Sequence, residues 1–356
     1  MTNRRVTAIR AQLNELKLDG LLIASAVNRR YVSGFTGSAG IVLLTPTDEW
    51  LVTDFRYNVQ AAEQAAGFQV VQQQARAIDT VAELVKKAGL KRIGFEQSLV
   101  TFSEHALWAS VLKDVELAPT SGIVEKRRMY KDEDELEIMR AAARLADEAY
   151  EHVLGFIKPG VREGDVALEL EMYMRSRGAT ATSFETIVAS GERSALPHGV
   201  ASERQIGVNE FVTMDFGALF GGYCSDLTRT VVVGRAQERH REIYSIVLEA
   251  QQAALDGIKP GMTGREADAI ARDIIARYGF GEQFGHSTGH GLGMEVHEMP
   301  RLSKLADDVL EPGMTVTVEP GIYIPGFGGV RIEDDIVITA TGNTRLTTSA
   351  KELVQL

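Results

Sequence analysis

The sequence has 356 residues, 44% of them hydrophobic and 24% charged, an ordinary composition for a soluble protein and long enough for two domains. A net charge of −11 with no basic patch argues against a nucleic-acid partner and against an anionic membrane surface. The opening residues lack the apolar run of a signal peptide, no stretch approaches the roughly 18 apolar residues of a membrane span, and the one cysteine, Cys224, allows no internal disulfide, so a cytoplasmic location is expected.

The first 125 residues alternate β-rich runs with helical ones. Leu21–Ala24, Ile41–Leu44, Trp50–Thr53, Phe68–Gln72 and Arg92–Phe95 read as strands rich in Val, Ile and Leu. Tyr57–Ala66, Asp79–Ala88 and Ser103–Leu112 read as helices, the second with Asp79 and Thr80 placed to cap it. This alternation predicts a small α/β layer domain over residues 1–125. The charged run Val124–Glu137 then leads into a long helical pattern from Asp134 to about Ile157, and the boundary to a second domain, 126–356, is set there.

That second part carries an internal echo. Ile157-Lys158-Pro159-Gly160 recurs as Ile258-Lys259-Pro260-Gly261, each copy closing one helical run and preceding another, Asp165–Arg177 and Arg265–Tyr278. Strand-rich sequence follows both times, so the spacing predicts a duplicated helix–helix–strands unit with pseudo-two-fold symmetry.

Each half ends in apolar strands that bear two carboxylates. A hairpin centred on Phe220/Gly221 would bring Asp215 opposite Asp226, with Cβ atoms about 5 Å apart, and one centred on Gly326 would do the same for Glu319 and Glu333. Like charges facing one another in apolar surroundings require a cation or a shared proton. The alternative is that the acids face solvent, or that Asp226 pairs with Arg229 and Glu333 with Arg331. Three of the seven histidines crowd into one glycine-rich stretch, as His286, His290 and His297, and His198 sits in another loop-like run. No His-Glu-x-x-His string occurs, which excludes the usual single-zinc protease motif. One imidazole and four carboxylates make a hard, oxygen-rich set suited to Mn²⁺, Co²⁺, Fe²⁺ or Zn²⁺, and two such ions about 3.5–4 Å apart would generate a hydroxide for hydrolysis.

At these residues the sequence resembles the pita-bread metallopeptidases, among them prolidase (Xaa-Pro dipeptidase) and Xaa-Pro aminopeptidase. The strings that carry the resemblance are MDFGALFGGYCSDLTRT, GHSTGHGLGMEVHE, VEPGIY and VRIEDD. The resemblance implies an α/β (α+β) architecture, with a creatinase-type N-terminal domain ahead of a pita-bread catalytic domain. It implies two divalent metal ions, Mn or Co with Zn as the alternative, held by Asp215, Asp226, His290, Glu319 and Glu333. Asp226 and Glu333 would bridge both ions, Asp215 would complete one site, and His290 with Glu319 the other. Glu319 would also handle the proton of a metal-bridging hydroxide, His198 and His297 would steady substrate and tetrahedral intermediate, and His286 would line the same catalytic wall. Arg331 would hold a ligand carboxylate from behind, and Cys224 is assigned packing only. The implied reaction is hydrolysis of the bond between an N-terminal residue and a following proline, on Xaa-Pro dipeptides or on longer peptides with proline second, by a homodimer.

Overall fold

A computed structural model describes residues 2–356. The chain divides into two compact units, 1–128 and 129–356.

The N-terminal unit is a mixed sheet covered by helices. Strands β1 (Gly20–Ile23), β2 (Ile41–Leu44), β3 (Glu49–Thr53), β4 (Gln69–Gln72), β5 (Arg92–Glu96) and β6 (Glu116–Thr120) lie in the order β4-β3-β2-β1-β5-β6. The pairs β1–β2 and β2–β3 are antiparallel, while β3–β4, β1–β5 and β5–β6 are parallel. Between them run α1 (Thr2–Glu15), α2 (Ala26–Ser33), α3 (Asn58–Gln64), α4 (Ala77–Ala88) and α5 (Phe102–Val111), with the short α6 (Glu125–Arg128) closing the unit. Leu22, Leu43, Val52, Ile93 and Trp108 bury its core, and continuous Val/Ile/Leu runs suit strands covered on both faces. The cap expected at Asp79 lies elsewhere: α4 begins two residues earlier, and the Asp79 side chain reaches back to the backbone N–H of Arg76.

The C-terminal unit contains the duplication. In the first half α7 (Glu133–Leu154) and α8 (Glu163–Ser176) precede β7 (Ala181–Thr182), β8 (Ile187–Ser190), β9 (Glu210–Phe216), β10 (Ala218–Phe220), β11 (Tyr223–Cys224) and β12 (Leu227–Val233). In the second, α9 (Glu238–Gly257) and α10 (Gly264–Arg277) precede β13 (Gly289–Gly291), β14 (Glu298–Leu302), β15 (Thr315–Val318), β16 (Gly321–Ile324), β17 (Gly328–Arg331), β18 (Asp334–Ile338) and β19 (Asn343–Arg345). The sheets run β12-β9-β8, β11-β10-β7, β14-β13-β15-β18-β19 and β16-β17. The echoed Lys-Pro-Gly turns are built alike, with Gly160 at φ +90 and Gly261 at φ +89, each donating its N–H to a carbonyl of the same half, Ile206 and Leu310 respectively. Helices pack outside and strands inside, and the strand ends converge where the acids lie.

Candidate metal and catalytic site

β9 and β12 pair so that Asp215 lies opposite Thr228, two residues away from the expected partner Asp226. The cause is the turn: Gly221 and Gly222 both have positive φ, +58 and +89, and form a two-residue type I′ loop that moves the hairpin centre. Asp226 therefore sits just before β12, yet it still reaches the cluster. Carboxylate oxygens of Asp215, Asp226 and Glu333 lie within 4.8 Å of one another. The second hairpin keeps its expected register: Gly321 pairs with Arg331, and Val318 pairs with Asp334 on the far side of Glu319 and Glu333. Those two acids thus occupy facing positions in the break between the strand pairs.

His290, on β13, completes the convergence. Its Nδ1 donates to the Gly291 carbonyl at 3.0 Å, which leaves Nε2 as the lone-pair nitrogen, 3.5 Å from Glu319 and 3.8 Å from Asp226. Burial pushes its pKa down to about 4, so the ring is neutral and able to ligate. The alternative pairings of the acids do not occur: Arg229 pairs with Asp334, and Arg331 donates to Asp215 Oδ2 at 2.5 Å. Asp226 and Glu333 have no Lys or Arg partner among the described residues.

Burial and the neighbouring carboxylates push the pKa values of Asp226 and Glu333 well up. Glu319 is raised to about 8, chiefly by burial, with Arg331 opposing the shift and the charge of Asp215 adding to it. Asp215 Oδ1 is buried without any hydrogen-bond partner. Buried, mutually repelling oxygens, an unpartnered carboxylate oxygen and an imidazole lone pair that faces them fit divalent cations, and an oxygen-rich set with one nitrogen suits hard to borderline ions.

Arg331 stands at the centre of a buried chain behind the cluster. Its Nε donates to Thr228 Oγ1, which in turn donates to Glu333 Oε2 at 2.5 Å, and its Nη1 donates to the Tyr323 hydroxyl at 2.8 Å. His286 faces the same hydroxyl through Nε2 and the Ser287 carbonyl through Nδ1, both at 2.8 Å. With Nδ1 donating to a carbonyl, Nε2 accepts from Tyr323, so both ring nitrogens of His286 are engaged. Burial and the Arg331 charge lower its pKa to about 4. Cys224 is buried, and burial raises its pKa to about 12, which leaves it an inert packing thiol.

Two adjoining cavities open on the cluster. One, of about 270 Å³, is lined by His198, Asp215, His286, Ser287, His290, His297, Arg301, Glu319 and Arg331. The other, of about 250 Å³, adds Phe184, Ile187, Val200, Asp226, Val296 and Glu333. The rings of His290 and His297 meet edge to face at 4.3 Å. Sequence reasoning missed Arg301 and Tyr323. Arg301 lies on β14 and lines the cavity by tertiary proximity alone, with no ion-pair partner among the described residues. Tyr323 lies four residues beyond Glu319, at the end of the Val-Glu-Pro-Gly-Ile-Tyr string that carries part of the family resemblance.

Known proteins resemble this chain over nearly its whole length. The profile of metallopeptidase family M24 matches residues 137–340, and that of the creatinase/prolidase N-terminal domain matches residues 5–130. A Xaa-Pro dipeptidase of Pyrococcus horikoshii is 42% identical over 355 residues, which cover 99% of each chain. A solved Xaa-Pro dipeptidase from Bacillus anthracis superposes with a TM-score of 0.98 at 53% identity over 100% of both chains. An X-Pro aminopeptidase from Thermotoga maritima superposes with a TM-score of 0.92 at 38% identity, over 97% of this chain and 100% of its own.

Proposed function

This chain belongs to metallopeptidase family M24 and carries its creatinase/prolidase N-terminal domain, and from that premise we propose that it is an Xaa-Pro dipeptidase whose catalytic domain is the C-terminal unit, which begins at residue 129 rather than at the expected 126 because α6 packs with the N-terminal unit. The observation that carries hydrolysis is the clustering of Asp215, Asp226 and Glu333 oxygens within 4.8 Å of one another, with His290 Nε2 3.8 Å from Asp226 and 3.5 Å from Glu319, and without a protein cation at Asp226 or Glu333 among the described residues. Two divalent ions would be held by these five residues, with Asp226 and Glu333 shared between them, and Mn²⁺ or Co²⁺ matches the donor set. When bound, such a pair supplies Lewis acidity that makes water nucleophilic near neutral pH and polarises the scissile carbonyl.

The remaining chemistry belongs to the chain. Glu319 has the most accessible side chain of the four acids, 15% exposed against 12% for Asp215 and 6% for Asp226. It takes the proton of the attacking water on a carboxylate oxygen and delivers it to the departing proline nitrogen. His198 and His297 line the cavity as imidazole N–H donors to the carbonyl oxygen as it gains charge. Arg331 fixes Asp215, and His286 braces the Tyr323 hydroxyl that meets Arg331.

Arg301 supports the preference for dipeptides. A guanidinium without an ion-pair partner on the wall of a small cavity suits the free carboxylate of a C-terminal proline. A tripeptide would offer an amide there and forgo a charge-assisted bond of about 1.5–3 kcal/mol, roughly ten- to hundredfold in kcat/KM. The reading extends to a homodimer, as the resemblance implies, and to the cytoplasmic location expected from the sequence composition; among the described residues no helix is long and apolar enough to cross a membrane. The test is kcat/KM for Xaa-Pro against Xaa-Pro-Xaa with the same first residue, on metal-reconstituted enzyme with products identified by mass. A dipeptide preference of tenfold or more is expected; equal or better turnover of the tripeptide would make the protein an Xaa-Pro aminopeptidase.

A further inference from the structure

His198 has no hydrogen bond to its imidazole among the described residues, although its ring lines both cavities. Its position is therefore inherited from the backbone of an exposed loop, and something must hold that loop. We propose that Glu163 is the positioning residue for His198, one buried carboxylate that ties down both ends of the loop presenting the imidazole. The inference rests on the reading of His198 as a donor to substrate.

Glu163 opens α8 and is 0% exposed. Its Oε1 accepts from the backbone N–H and the hydroxyl of Ser190, both at 2.8 Å, where the loop leaves β8. Its Oε2 accepts from the Ser202 N–H at 3.1 Å and the Ser202 hydroxyl at 2.5 Å, where the loop returns. Between the two ends, Arg193 donates Nε to Oε2 at 3.1 Å and Nη2 to the Val200 carbonyl at 2.6 Å, two residues after His198. Every donor in reach points at the carboxylate, so the side chain serves as an acceptor on both oxygens. Arg331 adds a tether from the metal side, donating to the Pro197 carbonyl at 3.2 Å.

The internal duplication supplies a control within the molecule. In the first half, Glu163 N–H donates to the Arg204 carbonyl and Gly164 N–H to that of Ser202. In the second, Gly264 N–H donates to the Asp308 carbonyl and Arg265 N–H to that of Ala306. The isolated bridges Arg162–Gln205 and Thr263–Val309 complete the match. Ala306 thus stands where Ser202 does, and Gly264 where Glu163 does. In the second half these backbone bonds and the Thr263–Glu266 capping box seat the helix, with no carboxylate among the described residues reaching to the returning segment at this position, so the carboxylate–serine clamp is an addition of the first half. The glycine has its own reason: a Cβ at Gly264 would lie 2.0 Å from the Arg301 carbonyl oxygen. Each helix start therefore lies beneath a chain segment that brings one residue to the same cavity wall, His198 in one half and Arg301 in the other.

The experiment is a double-mutant cycle on the full-length, metal-loaded enzyme with an Xaa-Pro dipeptide. In Glu163→Gln, an amide oriented to accept from Ser190 turns its NH₂ toward the donors of Ser202 and releases that end of the loop. We expect kcat to fall about 10–100-fold with KM and metal content unchanged, since a displacement of about 1 Å at a catalytic group costs on that order. Added to His198→Ala, the same substitution should change kcat by less than about twofold, because a residue acting through the imidazole has nothing left to act on. Ser202→Ala, which removes one donor and keeps the backbone N–H, should give a smaller loss with the same dependence on His198, and it decides the matter if Glu163→Gln does not fold. Wild-type kcat in these variants, or an equal loss in the His198 and Ala backgrounds, overturns the proposal. Wild-type kcat in His198→Ala itself would instead overturn the reading of His198 on which it rests.

Discussion

Asp334→Asn removes one half of the most deeply buried ion pair beside the site. Asp334 and Arg229 both have side chains 0% exposed, joined at 2.8 Å. Asp334 also accepts from Gln251 at 2.9 Å, Lys351 at 3.0 Å and Thr347 at 3.1 Å, so four donors fill its two oxygens. Burial alone would raise its pKa, but Arg229 and Lys351 outweigh burial and hold it below its ordinary value of 3.8. An asparagine would turn its NH₂ on two of these donors and strand a buried guanidinium. Breaking such a pair from one side costs about 3–5 kcal/mol, and the residual acceptor of the amide places the loss near about 3. For a unit of this size that is a fall in Tm of roughly 6–12 °C. Because the folded pKa is depressed, the stability that Asp334 contributes is present above pH 3.8 and is lost as pH falls through the folded value. Urea unfolding of wild type and variant at pH 7 and at descending pH reads both features, with the gap narrowing only below about pH 3.8. A variant within about 0.5 kcal/mol of wild type at pH 7 would refute the argument.

Chelation should abolish activity and Mn²⁺ or Co²⁺ restore it; full turnover in exhaustively metal-free protein would remove the basis of the mechanism. Asp226→Asn should lose both ions and Asp215→Asn mainly one, and equal metal content in wild type and the Asp226 variant would contradict the sharing assigned to Asp226. Gly264→Ala should lower stability and raise KM for Xaa-Pro, since the added methyl must displace the Arg301 backbone from 2.0 Å. An unchanged KM would separate Arg301 from substrate binding.

Much of this was legible in the sequence wherever burial is uniform. Ile41–Leu44 is a strand to the residue, because four consecutive branched or Leu side chains suit only an element covered on both faces. Helix α2 was not seen, since Ala26–Ser33 reads as polar with its Asn28, Arg29 and Arg30, yet Asn28 and Arg29 are among its buried residues. Arg29 satisfies its charge on the carbonyls of Ala24, Gly37 and Gly40, a tertiary arrangement no periodicity announces. The cap Ser25 and the left-handed Gly34 were the available signals. Asp215 faces Thr228 and not Asp226 because Gly221 and Gly222 together form the loop, a pairing of glycines that the sequence displays. His240 lies in a polar helical stretch of the sequence, yet it is 4% exposed and stacks on Phe327, with Nδ1 accepting from the Gln237 N–H. Arg301 could not be found in one dimension, since only the return of β14 past α10 brings it to the cavity.

The buried acids of this unit fall into two groups by how the protein answers them. Asp334 has four donors, Asp147 four from Thr348 and Ser349, Asp268 those of Arg272 and Thr288, and Glu163 the clamp described above. These are closed systems in which a buried charge is satisfied by the chain itself. Asp226 accepts no hydrogen bond at its carboxylate among the described residues, Glu333 accepts one from Thr228, Glu319 a long one from Thr317, and Asp215 has Arg331 at one oxygen with the other unpartnered. Asp335 also has a buried oxygen without a partner, but its other oxygen accepts the backbone N–H of Asp226, so it steadies the chain at a ligand. An unsatisfied buried carboxylate costs several kcal/mol, and a fold that leaves such oxygens together at one point while closing Asp334, Asp147, Asp268 and Glu163 presents a group that suits cations. Donor count separates Glu333, with one donor, from its equally buried neighbour Asp334, with four, where burial and charge do not.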